Sequence, residues 1–229
     1  MCEQRYHGVV KCALGWACWK TYLGRPEADW ACRGAITELG NGLTDARRYE
    51  DALPVFEAKL SMERRLGGSD EYILVAQNNL ARTYSALGRM QDALRMERDV
   101  YSGRLKLHGE EQRETLLAAN NYASSLVDLQ HFEEAKALLR KSIPVARRVL
   151  GDSDEDTLRM RWSYAMALSE DDAATLDDLR EAVTTLAEIE GTARHVLGGA
   201  HPTAVGIEGY LRDARAALRA REAPSPGGT

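Results

Sequence analysis

Two asparagine pairs, Asn78-Asn79 and Asn120-Asn121, stand 42 residues apart in this chain of 229 residues, and their carboxamides carry its most suggestive chemistry. Each carboxamide offers two donor hydrogens and an acceptor oxygen, so a ladder of them can hold the backbone of an extended peptide whatever its sequence. Helical spacing brings Asn41, Arg82, Ser124, Trp162 and Met166 onto the same face, together with Glu38, Ser85 and Ser163. Trp162 and Met166 would supply an apolar pocket for an anchoring side chain, because aromatic groups dominate binding hot spots. Two plainer roles stay open: one Asn of each pair caps or braces a neighbouring helix, and Trp162 belongs to an interhelical core.

Other chemistry lacks its residues. No glycine-rich phosphate loop, HExxH or GxSxG stretch is present. His7, His108, His131, His195 and His201 are scattered, and Cys2, Cys12, Cys18 and Cys32 lack the close CxxC pairs of zinc sites, so they read as packing thiols. The acidic run Asp152-Ser153-Asp154-Glu155-Asp156 lacks the glycine and distal glutamate of a calcium loop and suits the positive end of a following helix. The sequence therefore predicts no enzyme, no cofactor and no metal site. A net charge of -5 and a pI near 5.6 argue against a phosphate-tracking surface. No apolar run approaches the roughly 20 residues of a membrane span, and the first residues lack signal-peptide order. A cytoplasmic protein with protein or peptide partners, and neither nucleic acid nor membrane among them, is the expectation.

The elements that must position these residues are set by a recurring step. Leu23-Gly24, Leu66-Gly67, His108-Gly109, Leu150-Gly151 and Leu197-Gly198 are spaced by 43, 42, 42 and 47 residues. Such a period marks stacked copies of one unit, each too small to bury a core alone. Between Gly68 and Gly109, Val75, Ala76, Leu80, Ala81, Tyr84 and Leu87 give an amphipathic helix A, and Ala93, Leu94, Met96, Val100, Leu105 and Leu107 give helix B. The next copy repeats this at an offset of 42, with Phe132-Glu133-Glu134-Ala135 opening its helix B. Ala81 and Ala123 sit where helix A approaches its own B, and Ala93 and Ala135 where B approaches the next A. Five extra residues around Glu170 to Asp178 lengthen one turn.

Asn78-Asn79-Leu80-Ala81, Gly88-Arg89, Asp92-Ala93, Arg48-Tyr49-Glu50-Asp51-Ala52 and Leu197-Gly198-Gly199-Ala200-His201-Pro202 resemble the tetratricopeptide repeat, in the 42-residue form of kinesin light chains. The resemblance covers about residues 5 to 219. It implies an all-α fold, a right-handed α-solenoid of stacked antiparallel helix pairs, whose A helices line a concave groove. It also makes Asn79 and Asn121 the residues that hold ligand backbone. Kinesin light chains read acidic, Trp-containing peptides with a basic groove, whereas the nearby cations here are Arg82 and Arg159, so the resemblance bears more on repeat type than on biological role.

The expected organisation is one array over residues 1–220: a half repeat at 5–24 with helix B only, full repeats at 25–67, 68–109, 110–151 and 152–198, and a capping helix at 199–220. A disordered tail is expected at 221–229. A lone first helix would leave Trp16, Trp19 and nearby apolar side chains with an uncovered face, which marks an interface or an incomplete array. The leading expectation is a noncatalytic interaction module that binds an extended peptide or partner helix in the A-helix groove. The alternatives are an array that self-associates through its uncovered N-terminal helix, and a regulatory repeat fragment of a larger protein.

Overall fold

The computed structural model describes residues 2–223, with side chains from residue 10 onward. The expectations for the side chains of Cys2 and His7 and for residues 224–229 of the tail lie outside the described residues. Among the described residues there are ten α-helices and no strand: α1 (Cys2–Tyr22), α2 (Trp30–Asp45), α3 (Tyr49–Arg65), α4 (Asp70–Ala86), α5 (Met90–His108), α6 (Arg113–Asp128), α7 (Phe132–Val149), α8 (Glu155–Ser169), α9 (Leu176–Leu197) and α10 (Pro202–Glu222). Each recurring glycine of the sequence, Gly24, Gly67, Gly109, Gly151 and Gly198, has a positive φ and ends a helix there. Arg221 and Glu222 continue α10 past the boundary drawn from sequence, because the acceptor on Arg219 still receives the Ala223 N–H.

The turns from A to B use one device three times. Gly88 has φ 73°, its N–H bonds to the Ser85 carbonyl, and the Arg89 N–H bonds back to Tyr84. Arg47 (φ 58°) and Gln130 (φ 61°) hold the same left-handed position at the ends of α2 and α6, with the Arg48 N–H on Leu43 and the His131 N–H on Leu126. This double bond pattern closes the exposed carbonyls of a helix end. The longer turn between α8 and α9 is finished differently. Thr175 caps α9 by accepting from the Asp178 N–H, while Asp178 accepts from the Thr175 N–H. The acidic run caps α8, where the Asp154 carboxylate accepts from the Asp156 N–H.

The helices form two compact units, divided between Arg104 and Leu105 within α5. In the first unit, Leu39, Leu43, Phe56, Leu60, Leu80 and Tyr84 close a core with Ala52, Ala76, Ala93 and Cys12. In the second, Leu139, Leu158, Met160, Leu168, Leu186, Ile189 and Ile207 do so with Ala123, Ala146 and Ala165. Burying each large side chain contributes about 1.5–3 kcal/mol. The small positions make this packing close. Ala52, Ala93, Ala135 and Ala182 are fully buried at the matching point of α3, α5, α7 and α9, as are Ala81, Ala123 and Ala165 in α4, α6 and α8. In α2 that last position is Gly40, against whose backbone the Phe56 ring lies. The thiols of Cys12 and Cys32 are buried and that of Cys18 half-buried, all without disulfides.

Candidate binding faces

In the first unit, four residues that the sequence assigns to one face meet in a cleft. Glu38 and Asn41 of α2 and Asn79 and Arg82 of α4 line a cavity of about 630 Å³. Asn41 and Asn79 are half-buried, and Arg82 is exposed. Asn78, one position back on α4, is half-buried and does not line it. A further wall is α1, through Lys11, Leu14, Gly15 and Cys18.

That wall is placed by glycines. A Cβ on Gly15 would stand 2.8 Å from the Leu39 Cα, and one on Gly42 would stand 2.6 Å from the Lys11 carbonyl oxygen, so α1 and α2 meet backbone against backbone. The approach sets the Lys11 Nζ 2.7 Å from the Asp45 carboxylate at the cleft edge. The hydrogen bond and charge of Asp45 raise the Lys11 ammonium above its ordinary range. Lys11, Cys18 and Asp45 were not read from the sequence as site residues. The signal was the pair of glycines at helix-interior positions, where glycine is otherwise unfavourable by about 0.5–1 kcal/mol.

The second unit holds the other named residues, and it divides them by role. Asn120 is buried, and its Oδ1 accepts from the Ser163 Oγ at 3.1 Å, which ties α6 to α8. Ser124 adds to that tie, its Oγ lying 3.4 Å from the Ser163 Oγ. Asn120 therefore braces two A helices, the plainer of its two roles. Asn121 and Met166 are half-buried on the same helices.

Trp162 packs against the core of this unit. Its ring lies on Gly206 of α10 and meets Tyr210 edge to face, with centroids 5.6 Å apart and planes at 68°. Its contacts match the interhelical place that the sequence left open. Its buried Nε1 has no hydrogen-bond partner, which costs on the order of 1–3 kcal/mol. Burial, aided by the Glu170 carboxylate, pushes the Tyr210 phenol up to about 12. Arg159 of α8 is exposed.

Among the described residues no group of three or more His, Cys, Asp or Glu side chains is placed to hold a metal ion. No described helix is long and apolar enough to cross a membrane.

Comparison with known proteins places the chain in a family. Two models described as tetratricopeptide repeat match residues 33–106 and 115–156, together half of the chain. No curated protein matches the chain by sequence. The kinesin light chain nearly identical TPR-like repeats from Podosopora anserina are similar in structure, with a TM-score of 0.69 and 20% identity, covering 82% of this chain and 87% of that one. BtubC (BKLC) from P. vanneervenii is similar with a TM-score of 0.62 and 13% identity, over 99% of this chain and 95% of that one. The Rap protein complexed with Competence and Sporulation Factor is similar with a TM-score of 0.59 and 13% identity, over 94% of this chain and 62% of that one. The spacing, the paired helices and both sequence matches agree: the chain belongs to the tetratricopeptide repeat family, with the fold of its kinesin light chain-like members.

Proposed function

We propose that this chain is a noncatalytic interaction module that holds an extended peptide or a partner helix on its A helices, with the cleft of the first unit as its principal site. The observation that carries this reading is the convergence of Asn41, Asn79 and Arg82 on one cavity of about 630 Å³. Two carboxamides beside a guanidinium suit a peptide backbone: the amides accept from N–H and donate to C=O, and the guanidinium adds a directed donor fork. Rap, which shares the fold, is complexed with Competence and Sporulation Factor, in keeping with a binding role. Asn121, Ser124 and Met166 provide a second A-helix surface, with Asn120 bracing it. The partner is a protein or peptide, and the chain works without chemistry of its own in a soluble compartment such as the cytoplasm.

The test is selection of peptides against the whole chain from a random linear library, followed by titration. Asn79→Ala and Asn41→Ala are expected to weaken a selected peptide by about fivefold each, the effect of one lost hydrogen bond of about 1 kcal/mol. Asn120→Ala is expected to lower the melting temperature instead, since it leaves Ser163 without its acceptor, and Asn121→Ala to leave stability unchanged. Unchanged affinity in the folded Asn41→Ala, Asn79→Ala double variant would rule the cleft out.

A further inference from the structure

The cleft of the first unit carries two charges that the protein leaves unmatched. Of the four charged side chains that line it, Lys11 and Asp45 satisfy each other at 2.7 Å. Glu38 of α2 and Arg82 of α4 are exposed, and among the described residues neither has an ion-pair partner of its own. Their relative position follows from the repeat. The first turns of α2 and α4 lie side by side, with the Arg33 guanidinium 4.4 Å from the centre of the Tyr72 ring. Leu39-Gly40 of α2 and Leu80-Ala81 of α4 are matching buried pairs, so Glu38 stands level with Asn79, and Asn41, one turn further on, stands level with Arg82. Each level thus sets a charge on one wall against an asparagine on the other, and the two charges lie diagonally across the cleft.

The cleft is long in the direction of these helices. Its α2 lining runs from Glu38 to Asp45 and its α1 lining from Lys11 to Cys18. Each stretch spans about 10 Å at about 1.5 Å per residue. That length holds about three residues of extended chain at about 3.4 Å each, and in such a chain successive side chains point to opposite sides. Glu38 and Arg82 stand on opposite walls and three helical residues apart in level, about 4.5 Å along the axis. Adjacent residues of an extended peptide, opposite in direction and about 3.4 Å apart, meet that spacing. Residues two apart point to the same wall, and residues three apart overshoot it at about 10 Å.

We infer that the occupant of this cleft is an extended peptide in which a Lys or Arg adjoins an Asp or Glu, the basic side chain on Glu38 and the acidic one on Arg82, with Asn41 and Asn79 on the backbone between them. The inference rests on the cleft reading above and adds the charge pattern that the cleft selects. A peptide with two like charges brings one of them beside a wall residue of its own sign, which counts against it. An uncharged peptide covers Glu38 and Arg82 without replacing the water they lose.

The experiment selects peptides from a random linear library on the full chain, then titrates selected peptides and their charge-neutralised forms. Selection is expected to enrich adjacent opposite charges. Replacing the basic or the acidic residue of a selected peptide by glutamine is expected to weaken binding about threefold, the effect of one exposed ion pair. In Glu38→Gln the basic replacement should no longer matter, and in Arg82→Gln the acidic one should no longer matter, with helical content checked by circular dichroism. Two results would overturn the inference and leave the cleft reading standing. One is selected peptides that need Asn41 and Asn79 but carry no such pair. The other is charge replacements that weaken binding equally in the unaltered chain and in both variants. Peptides indifferent to the Asn41→Ala, Asn79→Ala double variant, or no selected peptide at all, would overturn both. Should a charge variant lose helical content, the peptide replacements decide on the unaltered chain alone, where equal affinity of charged and neutral forms overturns the inference.

Discussion

Gly40 shows how one missing methyl sets a local arrangement. Three other A helices carry alanine there, Ala81, Ala123 and Ala165, and two of the facing B positions carry leucine, Leu139 and Leu186. Phe56 is larger, and its ring fills the space a Cβ would take, with Cε1 2.5 Å from that point. Gly40→Ala is therefore expected to lower stability despite the helix propensity gained. Overpacking costs roughly 1–3 kcal/mol and alanine returns at most about 1. Phe56→Leu alone leaves a cavity and is also expected to destabilise. Together the two changes restore the pairing of the other repeats, so the double variant should be more stable than Gly40→Ala alone, with a favourable coupling in a thermal-melt double-mutant cycle. Additive losses would mean that Phe56 does not confine this position. The same logic applies to Asn120 and Asn121. Adjacent residues on a helix point about 100° apart, so identical side chains come to brace or to face solvent according to where the neighbouring helix lies. No property of the pair itself distinguishes them.

At the scale of elements, each of the three short A-to-B turns uses one residue with positive φ, and among them only Gly88 adopts it without strain. Arg47 and Gln130 hold the same conformation with a Cβ, at a cost of about 1–2 kcal/mol. Arg47→Gly and Gln130→Gly are each expected to raise stability in a denaturant melt, by up to about 1 kcal/mol once the entropy of the new glycine is deducted. A fall in stability would show that the turns are held by those side chains rather than by backbone bonds. Helix boundaries were legible because their signals are local: the glycine after each B helix, Phe132 opening α7, and the acidic cap of α8. The left-handed turns at Arg47 and Gln130 were hidden because neither residue type announces a positive φ. The α1 wall of the cleft was equally hidden. Lys11 reaches Asp45 only because Gly15 and Gly42 let two backbones touch, a contact between residues 34 apart in sequence. Trp19 shows a further limit: it packs against the first core while Trp16 remains open, although both were expected to be uncovered.

At the scale of the whole molecule, the two units bury different kinds of residue, and this predicts which responds first to acid. Among the described residues, the buried carboxylates Glu63 and Glu97 lie in the first unit, whereas the one buried charged side chain of the second is Lys136. Burial by itself pushes the Glu63 carboxyl upward, but hydrogen bonds and charge from Arg33 and Lys59 outweigh it and hold the group below the usual glutamate range. Lys59 is tied in turn to the Arg33 carbonyl at 2.8 Å and to Glu63 at 2.7 Å. A folded-state value below the unfolded one, about 4.3, means that the unfolded chain binds the proton more readily as pH falls. The stabilisation from Glu63 is thus complete above about pH 5 and is lost as pH drops through the folded-state value. Repeat arrays respond locally, through each repeat and its nearest neighbours. Hydrogen exchange followed from pH 6 to pH 3 should therefore show protection falling in α2 and α3 before α8 and α9. Glu63→Gln leaves Lys59 and Arg33 without their counter-charge and is expected to cost about 3–5 kcal/mol at neutral pH, the usual loss on breaking a buried pair. It should also remove most of the early acid response of α2 and α3. If α8 and α9 lose protection first in the unaltered chain, or if Glu63→Gln keeps the same acid profile, Glu63 is not the group that makes the first unit sensitive to acid.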